Sequence, residues 1–316
     1  MESFRTEFKL ERSDSSIKHS SKTLLIGSCF AQEMGLRMKT AGFQTNLNSH
    51  GILFNPISIK NSLEDIIKCK TYAEKDLYHY ANLWHSFNHH GSFSGTDVHN
   101  VLENINSTIR LAHKDLLNTD TLILTFGSAW IYEWAESGKV VANCHKVPQR
   151  YFNKRKLGVN EIISELSSAF DRITDLNPRI KIILTISPVR YLKEGFVENN
   201  WSKATLNIAV HELIRRFDCT SYFPAYELVI DDLRDYRFYK EDMTHPSKQA
   251  VDYVWGRFAS VYFSESTLDI ITKVERIKKA TQHRTLHAES PQSIGFQEKI
   301  LKEKEELKSQ YPFLEI

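Results

Sequence analysis

Short β-rich apolar runs separated by helical segments recur along this chain, and that alternation limits what it can fold into more than any other feature. Residues 23–26, 121–126, 181–186 and 221–223 read as strands. Near-continuous apolar runs of this length are what a parallel sheet shows when helices cover both of its faces. Residues 43–47 read as a further, weaker strand, one helix beyond the first, at the distance a βαβ crossover needs. The segments between the runs carry the 3.6-residue period. Ile59, Leu63, Ile66 and Ile67 share one face behind Pro56 as a starter, and Val98, Val101, Leu102, Ile105 and Ile109 form a second stripe. Ile162, Ile163, Leu166, Phe170 and Ile173 make a third, and Trp201, Leu206, Ala209, Val210, Leu213 and Phe217 a fourth. Val251, Val254, Phe258 and Tyr262 line a closing helix. Such stripes are core contacts rather than ligand surfaces. The fold class is therefore α/β, a mainly parallel sheet wrapped by helices.

Two insertions interrupt the alternation. Residues 77–95 are dense in aromatics, His and Gly, and residues 130–143 read as a hairpin turning at Gly138. Insertions at strand ends are where α/β enzymes build substrate sites. Beyond Ser264 the composition becomes Lys- and Glu-rich, with a helix around residues 297–308 whose limited apolar stripe is Phe296, Ile300, Leu301 and Leu307. The expected organisation is a domain over 1–264 and a charged helical extension over 265–316. That extension has docking, self-association and mobility as its open roles.

With 316 residues and 41% hydrophobic content, the chain can bury a full core. A net charge of +2, from 41 basic and 39 acidic residues, provides no global footprint for nucleic acid or an anionic membrane. Cys29, Cys69, Cys144 and Cys219 lack paired spacing, which fits neither a disulfide framework nor a zinc knuckle. Residues 1–22 build no signal peptide, and no apolar run approaches the roughly 20 residues that span a bilayer. These features lead us to expect a soluble, cytoplasmic protein without nucleic-acid or membrane partners; oligomeric state stays open.

Candidate chemistry begins at Gly27-Ser28-Cys29-Phe30-Ala31, between the first strand and a helix. A serine on such a turn exposes its hydroxyl at the sheet edge, beside unpaired helix amides that can stabilise an oxyanion. Far along the chain, Asp242-Met243-Thr244-His245 places a carboxylate and an imidazole three residues apart. One turn can set Asp242 against one ring nitrogen of His245 and leave the other for a serine. Ser28 as nucleophile, His245 as base and Asp242 as orienter is the logic of a serine hydrolase. The competing roles are helix caps for Ser28 and Asp242 and a surface position for His245. Cys29 is read as a packing residue rather than a nucleophile. His85, His89, His90 and His99 match no compact metal-ligand spacing and have no carboxylate beside them, so no metal and no cofactor are expected. Arg190 and Lys146 near strand ends are candidates for binding an anionic group.

The pentapeptide Gly27-Ser28-Cys29-Phe30-Ala31 resembles the signature of the GSCFA family, which is itself similar to the SGNH, or GDSL-type, hydrolases. The similarity runs on through Gly51-Ile52-Leu53-Phe54-Asn55-Pro56, Asn143-Cys144-His145-Lys146, Ser187-Pro188-Val189-Arg190 and Asp242-Met243-Thr244-His245-Pro246. It covers the chain from about Phe4 to the segment Tyr311-Pro312-Phe313-Leu314. The resemblance implies a three-layer, flavodoxin-like α/β/α sandwich and an ester hydrolase; from the joined Ser28, Asp242 and His245 motifs we expect it to act on an acyl, foremost acetyl, ester of a small molecule or carbohydrate. An O-acyltransferase using the same triad and a non-catalytic ligand-binding protein are the alternatives. SGNH hydrolases draw oxyanion donors from the serine amide, a glycine after the second strand and an asparagine after the third. Gly51 lies in the region of that glycine, but the third-strand position reads Gly127-Ser128-Ala129, without the asparagine. Losing one such donor costs about 3 kcal/mol in a transition state. A replacement is therefore expected, with Asn55, Asn143 and His145 as candidates beside Gly51 and Gly127.

Overall fold

A computed structural model describes residues 6, 8–282 and 291–316. Phe4, the start of the resemblance, lies outside the described residues, as do parts of both expected domains, residues 1–5, 7 and 283–290. The elements follow in the order β1 (Lys22–Gly27), α1 (Cys29–Thr40), β2 (Gln44–Leu47), α2 (Pro56–Ile67), β3 (Tyr78–Tyr80), β4 (Leu83–His85), α3 (Val98–Leu116) and β5 (Thr121–Phe126). Then come β6 (Trp130–Trp134), β7 (Val140–Val141), β8 (Phe152–Lys156), α4 (Val159–Leu176), β9 (Lys181–Ile186), α5 (Phe196–Arg216) and β10 (Thr220–Phe223). A short α6 (Ala225–Glu227), α7 (Lys248–Tyr262), α8 (Glu265–Gln282) and α9 (Pro291–Gln310) complete the chain.

Five strands form a parallel sheet in the order β10-β9-β5-β1-β2, the flavodoxin-like arrangement. The runs of β1, β5 and β9 are largely apolar because both faces are covered, and their two-residue period sorts the side chains between two cores. Leu24, Ile26, Leu122, Leu124, Phe126, Ile182, Leu184 and Ile186 point to a core closed by α2, α4, α5 and the end of α3. Leu25, Ile123 and Ile183 point the other way, onto Phe30, Met34 and Met38 of α1 and Val251, Val254 and Phe258 of α7. The molecule is thus a three-layer α/β/α sandwich. Each fully buried leucine or isoleucine contributes about 1.5–3 kcal/mol, so truncating Leu124, which is wholly buried, to alanine costs about 2–5 kcal/mol.

The chain reverses direction across the sheet at β1. The β1-α1-β2 crossover places α1 on one face, and the return to β5 places α2 and α3 on the other. The carboxyl ends of β1 and β5 are consequently adjacent where the strand order reverses, the crevice in which doubly wound sheets bind ligands.

Both insertions are hairpins. Strands β3 and β4 pair antiparallel and pack on α3 through Tyr72, Leu77, Trp84 and Phe93. Strands β6 and β7 pair across a turn with Gly138 at φ +68°, and β8 adds to the far side of β6. The sequence Phe-Asn-Lys-Arg-Lys of β8 has no apolar run to reveal it; pairing with β6 makes it a strand. Trp201 also departs from its expected stripe. It is 58% exposed, with the Lys156 ammonium 3.6 Å over its ring. At the C-terminus, Ile270, Val274, Ile277, Leu307 and Leu314 form a small core between α8 and α9. Leu301 of the expected stripe stays 62% exposed. Lys278 Nζ donates to the carbonyls of Lys39 and Thr40 at the end of α1, and Glu315 N–H to Gly42 O, so the extension docks on the sandwich.

Candidate active site

Ser28 follows the last residue of β1 and is the N-cap of α1. Its turn is possible because Gly27 lies at φ +153° and backs onto β5, where a Cβ would stand 2.4 Å from Thr125 O. The Ser28 side chain is 3% exposed, and its Oγ accepts from Phe30 N–H at 3.2 Å. The capping role is therefore realised, and Ser28 Oγ makes no hydrogen bond to His245. Asn48, at φ +50° just after β2, braces the turn: its Oδ1 accepts Gly27 N–H at 2.9 Å and its Nδ2 donates to Gln32 Oε1 at 2.9 Å.

The loop before α7 closes on itself. Lys240 N–H donates to His245 O and Ser247 N–H to Phe238 O, both at 2.7 Å, while Ser247 caps α7. Within this loop Asp242 Oδ1 accepts the N–H groups of Thr244 and His245, each at 2.9 Å. Asp242 Oδ2 lies 2.6 Å from His245 Nδ1, and Thr244 Oγ1 lies 3.1 Å from the same nitrogen. The N–H donors of His245 and Thr244, followed by the imidazole, hold the Asp242 carboxyl far below the usual carboxylate range. An ionised Asp242 accepts the Nδ1 proton, which leaves His245 Nε2 as the basic nitrogen. Arg190 N–H donates to Thr244 O at 3.0 Å, tying this loop to the segment after β9, and its guanidinium stacks 4.1 Å over Tyr239.

A cavity of about 290 Å³ lies between the Asp242–His245 loop and the start of α1, with Glu33 and Lys240 also on its lining; the buried Ser28 does not itself line it. Asp242, His245 and Pro246 form one wall, Cys29 and Phe30 of the α1 N-terminus another, with Val189 and Val251 beside them. Burial pushes the half-buried Cys29 thiol up from its ordinary value, so it is not an activated thiolate. A larger cleft of about 470 Å³ runs along the outer edge of β2, lined by Gln44, Asn46, Asn48, Leu111 and Asp115 among others, and none of the catalytic candidates lines it.

The oxyanion candidates divide between two places. Gly127 lies against the Ser28 turn, where a Cβ would stand 3.5 Å from Ser28 Cβ and 2.9 Å from Phe54 Cβ. Ser28 N–H donates to Thr125 O at 3.2 Å, and Gly127 N–H and Ser128 N–H donate to Phe54 O at 2.7 and 3.0 Å. Asn55 is buried and caps α2, accepting Ser58 N–H at 2.8 Å and donating to Ser58 Oγ at 2.9 Å. Gly51 N–H donates to Asn48 O at 2.7 Å, and a Cβ at Gly51 would stand 2.4 Å from His90 Cβ. The amides of Ser28, Phe30, Gly51, Gly127 and Ser128 are thus engaged within the protein.

Asn143 and His145 are held in the 77–95 insertion instead. Asn143 Oδ1 accepts His145 N–H at 2.8 Å, and His145 Nε2 donates to Ser86 O at 2.8 Å, with the His85 ring 4.6 Å away. Burial lowers His145 to about 4 and His89 well below the usual histidine range. His89 stacks on His50 at 4.5 Å, and His50 bridges Ser62 Oγ and Asp65 Oδ2 at 2.9 and 3.3 Å. His99 is exposed on α3. Among the described residues no group of three or more His, Cys, Asp or Glu side chains is arranged to hold a metal ion.

Sequence patterns did not single out Asn48, Thr244, Ser202 or Lys203. The last had a legible signal: Lys203 falls on the same helical face as Leu206, Val210 and Leu213, where a lysine meets the core rather than water. Its Nζ donates to Gly127 O and Ser187 O, both at 2.6 Å.

Comparison with known proteins places these features in a wider group. In overall shape the chain is similar to a carbohydrate esterase family 3 structure from Talaromyces cellulolyticus, at 9% identity and TM-score 0.37, over 80% of this chain and 98% of that one. It is similar to a family 3 carbohydrate esterase of Clostridium thermocellum, at 10% identity and TM-score 0.36, over 81% and 98% of the two chains. An acetyl xylan esterase from Butyrivibrio proteoclasticus aligns at 9% identity and TM-score 0.40, over 76% of this chain and 62% of that one. No curated protein sequence matches the chain. Two family models do: one, described as the C-terminal domain of GSCFA domain proteins, matches residues 274–316. The other spans residues 22–258, from β1 and its serine turn past the Asp242–His245 loop, and by that match the chain belongs to the GSCFA family.

Proposed function

We propose that this protein is a serine ester hydrolase in which Ser28 is the nucleophile, His245 the general base and acid, and Asp242 the orienter. The observation that carries the reading is the Asp242–His245 pair, 2.6 Å apart, on a cavity whose opposite wall is the α1 N-terminus that Ser28 caps. Ser28 Oγ leaves Phe30 N–H and attacks the ester carbonyl as its proton passes to His245 Nε2. That proton then goes to the departing alcohol, and an acyl-Ser28 remains. Water attacks next, with the same imidazole taking and returning a proton. The carbonyl oxygen draws on Ser28 N–H and Gly127 N–H once they release Thr125 O and Phe54 O.

Phe30, Val189, Pro246 and Val251 give this cavity an apolar side that suits a short acyl group, foremost acetyl, while Glu33 and Lys240 give it polar groups for the alcohol part of a small molecule or carbohydrate. In the test, a short-chain aryl ester is offered to the wild type and Ser28→Ala, and a fluorophosphonate adduct is mapped by peptide analysis. Loss of turnover in Ser28→Ala and an adduct on Ser28 support the assignment; undiminished hydrolysis by Ser28→Ala refutes it. Products formed with and without a sugar hydroxyl acceptor separate hydrolysis from O-acyl transfer. The engaged amides around Ser28 favour one other reading, a ligand-binding protein without turnover. Absence of labelling across a wide pH range in folded protein would establish that reading instead.

A further inference from the structure

Lys203 is 2% exposed on the inner face of α5, and its Nζ reaches the carbonyls of Gly127 and Ser187 at 2.6 Å each. Those carbonyls end β5 and β9, which are neighbours in the sheet with Phe126 opposite Ile186. Ser202, equally buried, accepts Ala129 N–H on its Oγ at 2.7 Å and lies 3.3 Å from Ser128 Oγ. One turn earlier, Asn199 Oδ1 accepts Tyr191 N–H at 2.8 Å. A single stretch of helix therefore grips the loops after both strands.

A buried lysine is costly unless its donors are used. Lys203 Nζ lies 5.5 Å from the Tyr226 ring, and burial draws the ammonium down to about 7, with the Glu227 carboxylate opposing that shift. Glu227 itself is engaged by Tyr222 Oη and Asn207 Nδ2. The lysine's hydrogen bonds go to the two strand ends. From there the mechanical path to the nucleophile is short. The Gly127–Ser128 peptide gives its carbonyl to Lys203 and its N–H to Phe54 O. Gly127 packs between Phe54 and Ser28.

We infer that Ser202 and Lys203 are positioning residues, a clamp on α5 that fixes the loop after β5 and the end of β9 against Ser28. The clamp rests on the reading of Ser28 as nucleophile, and it holds from α5 the backbone around Gly127 and Ala129. A displacement of about 1 Å in such a loop is enough to cost about 10²-fold in rate.

The test compares full-length wild type, Lys203→Met and Ser202→Ala. It measures kcat and KM on p-nitrophenyl acetate, the rate of fluorophosphonate labelling, and amide hydrogen exchange in peptides covering residues 126–131 and 186–192. Each variant should lose at least about 10-fold in kcat and in labelling rate with KM within about threefold, since uniform binding is untouched. Exchange should accelerate in those two segments while β1 and β2 exchange as in the wild type. A folded variant that keeps kcat and segment exchange within twofold of wild type overturns the clamp, as does acceleration spread evenly over the sheet. If Lys203→Met does not fold, Ser202→Ala, which removes one small acceptor and leaves the lysine, decides the matter. If the wild type neither hydrolyses nor labels, the Ser28 reading fails, and exchange alone then decides: acceleration confined to the two segments upholds the clamp, and its absence overturns it.

Discussion

Replacing Asp242 by asparagine separates holding the loop from orienting the imidazole, because its two oxygens have different tasks. Oδ1 accepts the N–H groups of Thr244 and His245, and an asparagine Oδ1 can keep both. Oδ2 faces His245 Nδ1 at 2.6 Å, and there asparagine presents an NH₂ donor to a nitrogen that carries a proton. Two donors cannot share that contact, so the imidazole takes the tautomer with its proton on Nε2 and can no longer accept from Ser28. Loss of this kind in a triad approaches about 10⁴-fold in kcat. Asp242 is 48% exposed and Thr244 Oγ1 stands 3.1 Å from Nδ1 as a substitute acceptor. The expected loss is therefore about 10²–10⁴-fold, with KM changed by less than about threefold. The assay is steady-state hydrolysis of p-nitrophenyl acetate by wild type and Asp242→Asn, with the thermal midpoint of each. An unchanged midpoint beside a collapsed kcat is the expected pair of results. Retention of more than a tenth of the wild-type kcat would refute the tautomer argument.

Two further outcomes follow from burial and backbone geometry. Gly27→Ala places a Cβ 2.4 Å from Thr125 O at φ +153°, forcing β1 and β5 apart, and should destabilise by about 2–6 kcal/mol; a urea midpoint shift worth less than about 1 kcal/mol would contradict the close approach. His145 titrates at about 4 in the fold against its ordinary 6.5, so the unfolded chain binds the extra proton first as pH falls. The associated stability is present above pH 6.5 and declines toward pH 4, by about 2 kcal/mol at pH 5. His89 acts in the same direction. Urea titrations at pH 7.5 and 5.0 should show this loss in the wild type and a clearly smaller one in His145→Asn, where the left-handed backbone at φ +46° suits asparagine; an equal loss would show that His145 does not carry it.

Much of the sandwich was readable because its signals are local. The runs 121–126 and 181–186 coincide with β5 and β9, since burial on both faces keeps these strands apolar apart from Thr121 and Thr125 in one and Lys181 and Thr185 in the other. The edge of the reading was β8, whose polar residues become a strand through β6, and Trp201, whose apolar ring is covered by Lys156 rather than by the core. The Asp242–His245 contact was equally local, as three residues of separation let one turn bring them together. Asn143 and His145 were assigned by loop position alone, and the packing of β3 and β4 on α3 decided which loop cluster received them.

By itself, then, the sequence determined the layers, the limits of the central strands β5 and β9, the turn that carries Ser28 and the Asp242–His245 contact, because periodicity and short separations act over a few residues. Only the tertiary structure decided that Ser28 caps its own helix, that the amides of Ser28, Gly127 and Ser128 are already bonded, and that Lys203 is buried beneath the carboxyl ends of β5 and β9. Those facts depend on which distant carbonyls arrive beside a given donor, and strand order across the sheet, not the neighbouring sequence, sets that.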